Sequence, residues 1–552
     1  MTKFKIALTL VGILLLGTFL RFYHNLDISL WHDEAFSALL IKYPWGEMIH
    51  RIGLDVHPPI YYIVLRLWSY LFSDSLLALR GFSVFFGLAA AMAGYGFVKA
   101  AFKSEKGALI AALLIAVSPF QIQYATEARM YTFGAFLAVL AAYFLVKALN
   151  RVTSDKVRVT GTYYILFGVT SGLAALTHYY LLFTVAALCF YALCWHVYHY
   201  RTNFRKYYLL LAAYVLTALV FAPWLKWFFF QFKQVGAGYW IPPMDMWSIP
   251  TTLWQMLLGI GIDISHKPTQ LLVVLTTIFS IYFLICFLRK TESPHKWLVA
   301  LALIAPFAGS IAFALLAKLK GETSSVYLIR YFLYASTFYT IALAMWLANI
   351  RRTIVAYVLL IIYIFCNFGA FIHYWQDLKV TEKPGMNAAV HYLQSHAHPT
   401  DHLIAGTSFE FFNLKYYLSQ IPAPVGPAAG PQTMTSKSYT LEDLSDDAPR
   451  PTPDAPETIQ YWSKPVLFTG GSTSVHDLPH FAGTAILTDA DLLPHFEDSA
   501  KTGDTAWLVW TNAFGSNKPT VPANWKQVDE KGFAEVRPYV GTWIVVTQYE
   551  VE

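Results

Sequence analysis

Residues 269–288 read TQLLVVLTTIFSIYFLICFL, and Arg289 and Lys290 follow them directly. This uncharged stretch has the length that an α-helix needs to cross the hydrocarbon core of a bilayer. The composition extends the pattern to the whole chain of 552 residues, of which 56% are hydrophobic and only 13% are charged. The charged share is about half that of a soluble protein. The sequence therefore predicts a protein that crosses a membrane many times.

Similar apolar stretches predict a mostly α-helical bundle of about eleven membrane spans. They are 5–22, 79–98, 107–123, 131–149, 162–179, 180–198, 207–224, 269–288, 297–317, 331–349 and 353–373. No small-x-small cleavage site follows the first stretch, so we expect it to stay uncleaved. Residues 57–72 are apolar but short and contain Arg66, which predicts a helix lying in the membrane interface.

Basic residues predict the orientation of these spans. Lys and Arg follow every even-numbered span, and Lys3 and Lys5 precede the first. Because basic loops are retained in the cytoplasm, we expect the N-terminus inside and the C-terminal region outside. The compact size and the lack of cysteines outside the apolar runs favour a bacterial inner (plasma) membrane. The first outer loop is then 23–77.

The C-terminal region, residues 374–552, is polar and predicts a small extracytoplasmic α/β domain, separate from the membrane domain of residues 1–373. Strands are predicted at 465–469, 484–488, 506–510 and 542–549, and helical spacing is found at 386–394 and 409–418. Residues 421–456 are rich in proline, which predicts a loop or linker and suits a binding role for the C-terminal domain.

The middle of each predicted span lacks Asp, Glu, Lys and Arg. Ion-coupled transporters and voltage sensors need ionisable groups at that depth, so the pattern argues against both. The net charge of +6 is small and comes from short loops, so we expect no nucleic-acid partner. Charged residues instead collect at the predicted outer ends of the spans, where we expect the chemistry.

An acidic pair follows the first span, where residues 31–37 read WHDEAFS. A carboxylate at the start of a helix is stabilised in its charged form by the helix dipole. Asp33 could then accept the proton of an acceptor hydroxyl, as a general base in glycosyl transfer must. From spacing alone, an N-cap followed by Glu34 in the first turn explains the pair equally well.

Two further motifs lie near predicted outer ends. Residues 55–62 read DVHPPIYY, in which His57 precedes two prolines; a lone histidine of this kind is more often structural. Residues 118–131 read SPFQIQYATEARMY and bring Glu127, Arg129 and Tyr131 to a short turn. Solvation by lipid headgroups would explain these charges without a function.

The last two motifs add a histidine and an arginine. Residues 177–180 read THYY and contain His178, and residues 329–334 read IRYFLY and contain Arg330 and Tyr331. A guanidinium group matches the oxygens of a phosphate, so Arg330 is a candidate phosphate ligand.

Together, DEAFS, HPPIYY, SPFQIQYATEARMY, THYY and IRYFLY, in this order, resemble the GT-C glycosyltransferases of the protein O-mannosyltransferase and lipid A aminoarabinose transferase type. The resemblance covers roughly residues 1–373 and is strongest over the first 180. It implies a GT-C membrane domain that takes a sugar from a polyprenyl-phosphate donor at the outer leaflet. The sugar passes to an acceptor hydroxyl with inversion at the anomeric carbon.

The resemblance also implies roles for individual residues. Asp33 and Glu34 match the family's catalytic acidic pair, with Asp33 as the base. Glu127 matches the acidic position of the second outer loop, with Arg129 beside it, and Arg330 matches the residue that holds the donor phosphate. The remaining members of the predicted substrate-binding set are His57, Tyr131, His178 and Tyr331.

No cofactor or metal is predicted to be required. Asp33, Glu34 and Glu127 could share a divalent cation through oxygen ligands, but the resemblance favours a metal-independent enzyme. Four histidines lie within 391–402, yet their spacing matches no known ligand pattern, so we expect a helix end and a turn there.

Three other functions stay open. A transporter or flippase of lipid-linked sugars would explain the spans but not the acidic pair. A scaffold with a binding ectodomain would explain the C-terminal region. A polysaccharide ligase or polymerase would use the same class of donor. Residues 374–552 do not resemble the MIR-type β-trefoil, so whether the acceptor is a protein, a lipid or a glycan does not follow from the resemblance.

Overall fold

The computed structural model describes residues 2–151, 157–200, 207–237, 241–259, 261–319, 321, 325–379, 382–420, 464–469, 485–513, 516–536 and 542–552. Contacts divide the chain into two compact units: Met1–Ile28 with Ile49–Glu382, and Ser29–Met48 with Lys383–Glu552. The sequence places the division at residue 373, whereas the contacts place it at Glu382. They also assign residues 29–48, from the predicted first outer loop, to the second unit.

Nineteen α-helices make up most of the described structure. In chain order they are α1 (Lys3–Phe22), α2 (His32–Leu40), α3 (Trp45–Leu54), α4 (Ile60–Phe72), α5 (Leu76–Phe102), α6 (Glu105–Val117), α7 (Pro119–Ala125), α8 (Tyr131–Leu149), α9 (Val157–Ala175), α10 (Leu181–Tyr200), α11 (Tyr208–Phe221), α12 (Leu225–Ala237), α13 (Ser248–Leu258), α14 (Lys267–Lys290), α15 (Lys296–Leu319), α16 (Leu333–Ala348), α17 (Thr353–Leu378), α18 (Gly385–His396) and α19 (Ser408–Ser419).

Nine helical segments within the described residues are long and apolar enough to cross a membrane. They become ten if α6 and α7, which bend by 53° at Ser118, form one broken span. Pro119 causes this break, since it lacks the N–H that would continue the helix, and the Ser118 hydroxyl caps the new helix by accepting from the Gln121 N–H. The short apolar helix predicted at 57–72 is present as α4.

Helix α9 covers most of the predicted span 162–179 but is not among these ten. Small and hydroxyl residues interrupt the apolar run of α9, and two of its glycines are needed for packing against α11. A Cβ atom on Gly168 would lie 2.7 Å from the Ala213 carbonyl oxygen, and one on Gly172 would lie 2.6 Å from Val220. The two glycines, four residues apart, therefore let α9 approach α11 closely. The finding confirms a mostly helical multi-pass membrane protein with nine or ten spans in the described residues, against about eleven predicted.

The second unit contains a six-stranded sheet. Its strands are β1 (His402–Ala405), β2 (Leu467–Thr469), β3 (Leu492–Leu493), β4 (Thr505–Thr511), β5 (Trp525–Glu535) and β6 (Thr542–Val551), in the spatial order β3-β2-β1-β4-β6-β5. The pairs β3-β2, β2-β1 and β1-β4 are parallel, and β4-β6 and β6-β5 are antiparallel. One face covers a core that includes Ile404, Leu508 and Trp525.

The C-terminal α/β domain is thus confirmed, with differences in detail. Strands β2, β4 and β6 and helices α18 and α19 match predicted segments. The strand predicted at 484–488 is wrong for its described residues 485–488, of which 485–486 are helical and 487–488 belong to neither a helix nor a strand. Strands β1 and β3 escaped prediction because they are short, and β5 because most of its residues are exposed and polar. The predicted linker 421–456 lies outside the described residues.

Candidate active site

The predicted site residues fall into both compact units. Asp33 and Glu34 belong to the second unit. The first unit contains the rest of the set, which is His57, Glu127, Arg129, Tyr131, His178, Arg330 and Tyr331. Each group has its own geometry.

The two carboxylates of the acidic pair have different surroundings. Helix α2 begins at His32, so both lie in its first turn, as the sequence predicts. The Glu34 side chain is buried and accepts a hydrogen bond from the Trp31 backbone N–H at 3.4 Å, which makes it a cap. Asp33 keeps 25% of its side chain exposed, and its Oδ1 lies 3.1 Å from His32 Nε2. The capping role therefore fits Glu34, and the accessible carboxylate is Asp33.

In the first unit, His57 lies between the Asp55 carboxylate and the Arg129 guanidinium group. Its Nδ1 is 2.8 Å from Asp55 Oδ2, and its Nε2 is 3.5 Å from Arg129 Nη2. Nδ1–H donates to the carboxylate, which leaves Nε2 as the acceptor for the guanidinium. The Asp55 carboxylate thereby orients the ring. Asp55 was not predicted as a site residue, although its position two residues before His57 is a signal that could have identified it.

Glu127 and Arg129 are both buried, so headgroup solvation does not explain them. They share one tight turn after α7, in which the Arg129 backbone N–H donates to the Glu127 carbonyl oxygen at 2.8 Å. The Ser83 hydroxyl of α5 donates to the Arg129 carbonyl oxygen at 3.3 Å and holds the turn against the bundle. Taking such charges out of water is costly, and they are retained where they are paired or used.

Aromatic rings gather around His178. Its ring centroid lies 4.6 Å from that of Tyr331, 5.9 Å from His57 and 6.2 Å from Tyr131. Burial lowers the pKa of His178 well below its ordinary value, and the neighbouring His57 and Arg129 lower it further. The imidazole is therefore neutral. Arg330 is half-buried and precedes Tyr331 in the 3-10 turn Ile329–Phe332.

A cavity of about 400 Å³ opens beside this cluster. Helices α10, α12 and α15 contribute its walls, which are mainly Phe183, Phe228, Phe232 and Leu316. His57, His178 and Tyr331 line the same cavity. An apolar cavity with a few polar groups suits a ligand that has a long hydrocarbon part and a polar head.

Gln231 of α12 is a further residue that sequence reasoning missed. Its Nε2 donates to the carbonyl oxygens of Ile52 at 2.8 Å, Gly53 at 3.2 Å and His57 at 3.2 Å. The Tyr179 hydroxyl donates to Gln231 Oε1 and accepts from Trp224 Nε1–H at 2.8 Å. The network fixes the backbone that carries His57. No signal in the sequence distinguishes Gln231 from an ordinary interfacial glutamine, and only the folded structure reveals its contacts.

Across the described ranges, no group of three His, Cys, Asp or Glu side chains is placed to hold a metal ion. The histidines within 391–402 form the helix end and turn that the sequence favoured: α18 ends at His396, and His402 begins β1. His402 Nε2 instead lies 2.8 Å from Asp504 Oδ2.

The fold is that of a multi-pass helical membrane protein, and its motifs resemble those of the GT-C glycosyltransferases. Residues 56–227 match the family described as dolichyl-phosphate-mannose-protein mannosyltransferase, and this confirms the resemblance. The matched part contains His57, Glu127, Arg129, Tyr131 and His178. At the sequence level, no curated protein matches the chain.

Three solved structures show distant likenesses. ArnT from Cupriavidus metallidurans bound to undecaprenyl phosphate aligns with a TM-score of 0.47 and 12% identity, over 99% of this chain and 98% of that chain. The Archaeoglobus fulgidus oligosaccharyltransferase AglB, in complex with an inhibitory peptide and a dolichol-phosphate, aligns with a TM-score of 0.41 and 14% identity, over 75% and 64%. The S. cerevisiae Pmt1-Pmt2 complex bound to the sugar donor aligns with a TM-score of 0.34 and 17% identity, over 46% and 37%. This chain spans less than two thirds of the length of the last two.

Proposed function

We propose that the protein transfers a sugar from a polyprenyl-phosphate donor to an acceptor hydroxyl, with inversion at the anomeric carbon. The basic loops favour a reaction at the outer face of a bacterial cytoplasmic membrane, with the N-terminus inside. The observation that carries the proposal is the apolar cavity lined at one side by His57, His178 and Tyr331. A donor of this class has an isoprenoid chain that needs apolar walls and a phosphate that needs polar ligands.

The donor phosphate is assigned to the basic residues of the first unit. Arg129 is buried and oriented through the Asp55–His57 pair, so its guanidinium is held in a low-dielectric environment, where charge stabilisation is strong. Arg330 is the second ligand, as its motif implies. Neutral His178 is able to donate one N–H to a phosphate oxygen. The isoprenoid chain occupies the cavity between α10, α12 and α15.

The chemical step is assigned to Asp33. The acceptor oxygen attacks the anomeric carbon on the face opposite the phosphate while its proton passes to the Asp33 carboxylate. The new bond joins the anomeric carbon to the acceptor oxygen, and the bond to the phosphate oxygen breaks with its electron pair. Polyprenyl phosphate leaves. Because phosphate is a good leaving group, stabilisation of its charge by arginine contributes more than acid catalysis.

Transfer assays on the purified full-length protein test this assignment. The assay follows release of polyprenyl phosphate from a panel of radiolabelled polyprenyl-phosphate sugars. Asp33→Asn is expected to lower turnover by about 100-fold or more with donor binding retained. The matched control is Asp27→Asn, an exposed carboxylate of the preceding loop that pairs with His24.

Turnover of the Asp33→Asn variant near that of the wild type would refute the assignment of Asp33 as the general base. Movement of lipid-linked sugar across the liposome membrane, without release of polyprenyl phosphate from any donor, would refute the proposed transferase activity and identify a transporter instead.

A further inference from the structure

The sheet of the second unit has a crevice at its centre. From β1 the chain continues to β2 and β3 on one side of the sheet, whereas β4 pairs with β1 on the other side. Parallel sheets wound in this way bind ligands at the carboxyl ends of the two strands where the direction changes. Here those ends are followed by Gly406 after β1 and by Asn512 after β4.

Residues 29–40 of the same unit lie at this crevice. A cavity there is lined by Phe409 and Glu410 following β1, by Thr511 and Ala513 at the end of β4, and by Trp31 and His32 of the α2 segment. The place that holds a ligand in related sheets is thus occupied by the segment that carries Asp33.

Helix α19 secures this segment along one of its faces. The His32 ring packs against Phe409 with centroids 4.8 Å apart, and Phe36 packs against Phe412 at 6.1 Å. The Leu30 backbone N–H donates to the Tyr417 hydroxyl at 2.8 Å. The three α19 residues that make these contacts, Phe409, Phe412 and Tyr417, are spaced three and five residues apart. Together their two ring contacts and one hydrogen bond fix the start of α2.

Two buried carboxylates face the same cavity. Glu410 is 2% exposed and accepts from the Thr407 hydroxyl at 2.5 Å, and Glu535 at the end of β5 is 4% exposed and accepts from the Met386 backbone N–H. Burial raises the pKa of Glu410 to about 7. Burial, and secondarily the charge of Glu410, raises the pKa of Glu535 to about 8. Near neutral pH the pair therefore retains a proton.

A buried amide also belongs to this cluster. Asn413, which is 6% exposed, lines the cavity, and its Oδ1 has no hydrogen-bond partner within the described residues. The space of about 10 Å³ at this site has the size of one water molecule. A water there would donate to Asn413 Oδ1 and to one carboxylate.

The titratable groups that line this cavity are His32 from α2, Glu410 from α19 and Glu535 from β5. The other packed elements contribute neutral groups, namely the Met386 N–H of α18, Thr511 of β4 and Ile544 of β6. Glu410 and Glu535 are therefore the carboxyl groups whose ionisation changes the charge of this cavity.

We propose that Glu410 and Glu535 are positioning residues for Asp33. They share a proton and bind one water with Asn413, and the resulting network holds the His32 ring, whose Nε2 lies 3.1 Å from Asp33 Oδ1. The inference rests on the proposed function, since it gives the role of base to Asp33. When both carboxylates ionise, their repulsion disrupts the network, His32 is released, and Asp33 loses its orientation.

The pH profile of kcat for the full-length enzyme with a polyprenyl-phosphate sugar tests this. The wild type is expected to lose activity on the alkaline side, with a midpoint near pH 8. Glu535→Gln carries an amide that cannot ionise, so the alkaline loss is expected to disappear in this variant. His32→Gln is expected to lower kcat about 10-fold to 100-fold with unchanged KM for the donor, as misorientation of a base would. Glu550→Gln, an exposed carboxylate on β6, is the control.

An alkaline loss in Glu535→Gln equal to that of the wild type would overturn the proposal, as would an unchanged kcat in His32→Gln. A second readout does not depend on activity: amide hydrogen exchange of peptides 29–40 at pH 9 is expected to be faster in the wild type than in Glu535→Gln. Equal exchange would also overturn the proposal. If the wild type exchanges faster than Glu535→Gln but transfers no sugar, the result supports the proposed network and rejects the proposed function.

Discussion

Replacing Glu535 by glutamine is expected to reduce the loss of stability of the second unit as the pH rises from 6 to 9. The folded protein holds this carboxyl protonated, because burial raises its pKa from an ordinary value of 4.5 to about 8. The unfolded chain releases that proton at an ordinary pKa. Between these two values the native state binds more protons than the unfolded state, so stability is greatest at low pH and falls as the pH rises.

The size of the effect follows from the two pKa values. The free energy of unfolding falls by about 1.4 kcal/mol per pH unit between pH 6 and 8 and levels off above pH 8. The loss from Glu535 between pH 6 and 9 is then about 3 kcal/mol. For a unit of this size, that corresponds to a fall in Tm of roughly 6–12 °C. Glu535→Gln removes this term, so the variant should melt close to the wild type at pH 6 and well above it at pH 9.

The assay is thermal unfolding of the full-length protein in detergent, followed by tryptophan fluorescence. Trp507 and Trp525 are buried in the sheet and report on this unit. The exposed carboxylate variant Glu550→Gln should keep the slope of the wild type. A wild-type Tm that is constant from pH 6 to 9, or a Glu535→Gln slope equal to that of the wild type, would refute the reasoning.

Three further changes have expected outcomes. Gln231→Met removes the donor that binds three backbone carbonyls around His57, so KM for the donor should rise about tenfold with little change in expression, as measured by transfer kinetics. Gly309→Leu should fill the cavity, because Gly309 and Phe183 both line it and a Cβ atom added at Gly309 would already lie 2.3 Å from the Phe183 ring. The variant should then fail to retain a polyprenyl phosphate in native mass spectrometry. Retention equal to that of the wild type would contradict the assignment of the cavity to the lipid chain. Glu34→Gln keeps an acceptor for the Trp31 N–H and should unfold like the wild type, whereas Glu34→Ala should lose about 1 kcal/mol of stability in the same melting assay.

Much of the fold was readable from the sequence because it depends on local properties. A run of about 20 apolar residues predicts a span whatever surrounds it. Strand β4 and helices α18 and α19 follow from alternation and helical spacing over short windows. The same holds for the start of α2, where an acidic first turn accompanies the helix. The motif residues His57, Arg129, His178 and Tyr331 were also selected from the sequence, through a resemblance that does not require their contacts to be known.

What the sequence could not reveal depends on contacts between distant residues. The hydrogen bond from Leu30 to Tyr417 and that from Ser29 to the Pro384 carbonyl join positions more than 350 residues apart, and they place residues 29–48 in the second unit. Spacing cannot show this, because chain separation does not determine which surfaces pack. The buried pair of Glu410 and Glu535 was hidden for the same reason, since an isolated glutamate in a sequence is normally exposed.

Hydropathy and motif order are carried by neighbouring residues, so the sequence alone identifies a membrane-spanning helical protein whose motifs resemble those of the GT-C glycosyltransferases. Only the tertiary structure decided which of two adjacent carboxylates caps α2 and which stays accessible, and which residues orient His57. These distinctions depend on burial and on hydrogen bonds that form when the chain packs. The free energy of a charged group changes with its surroundings far more than with its neighbours in sequence.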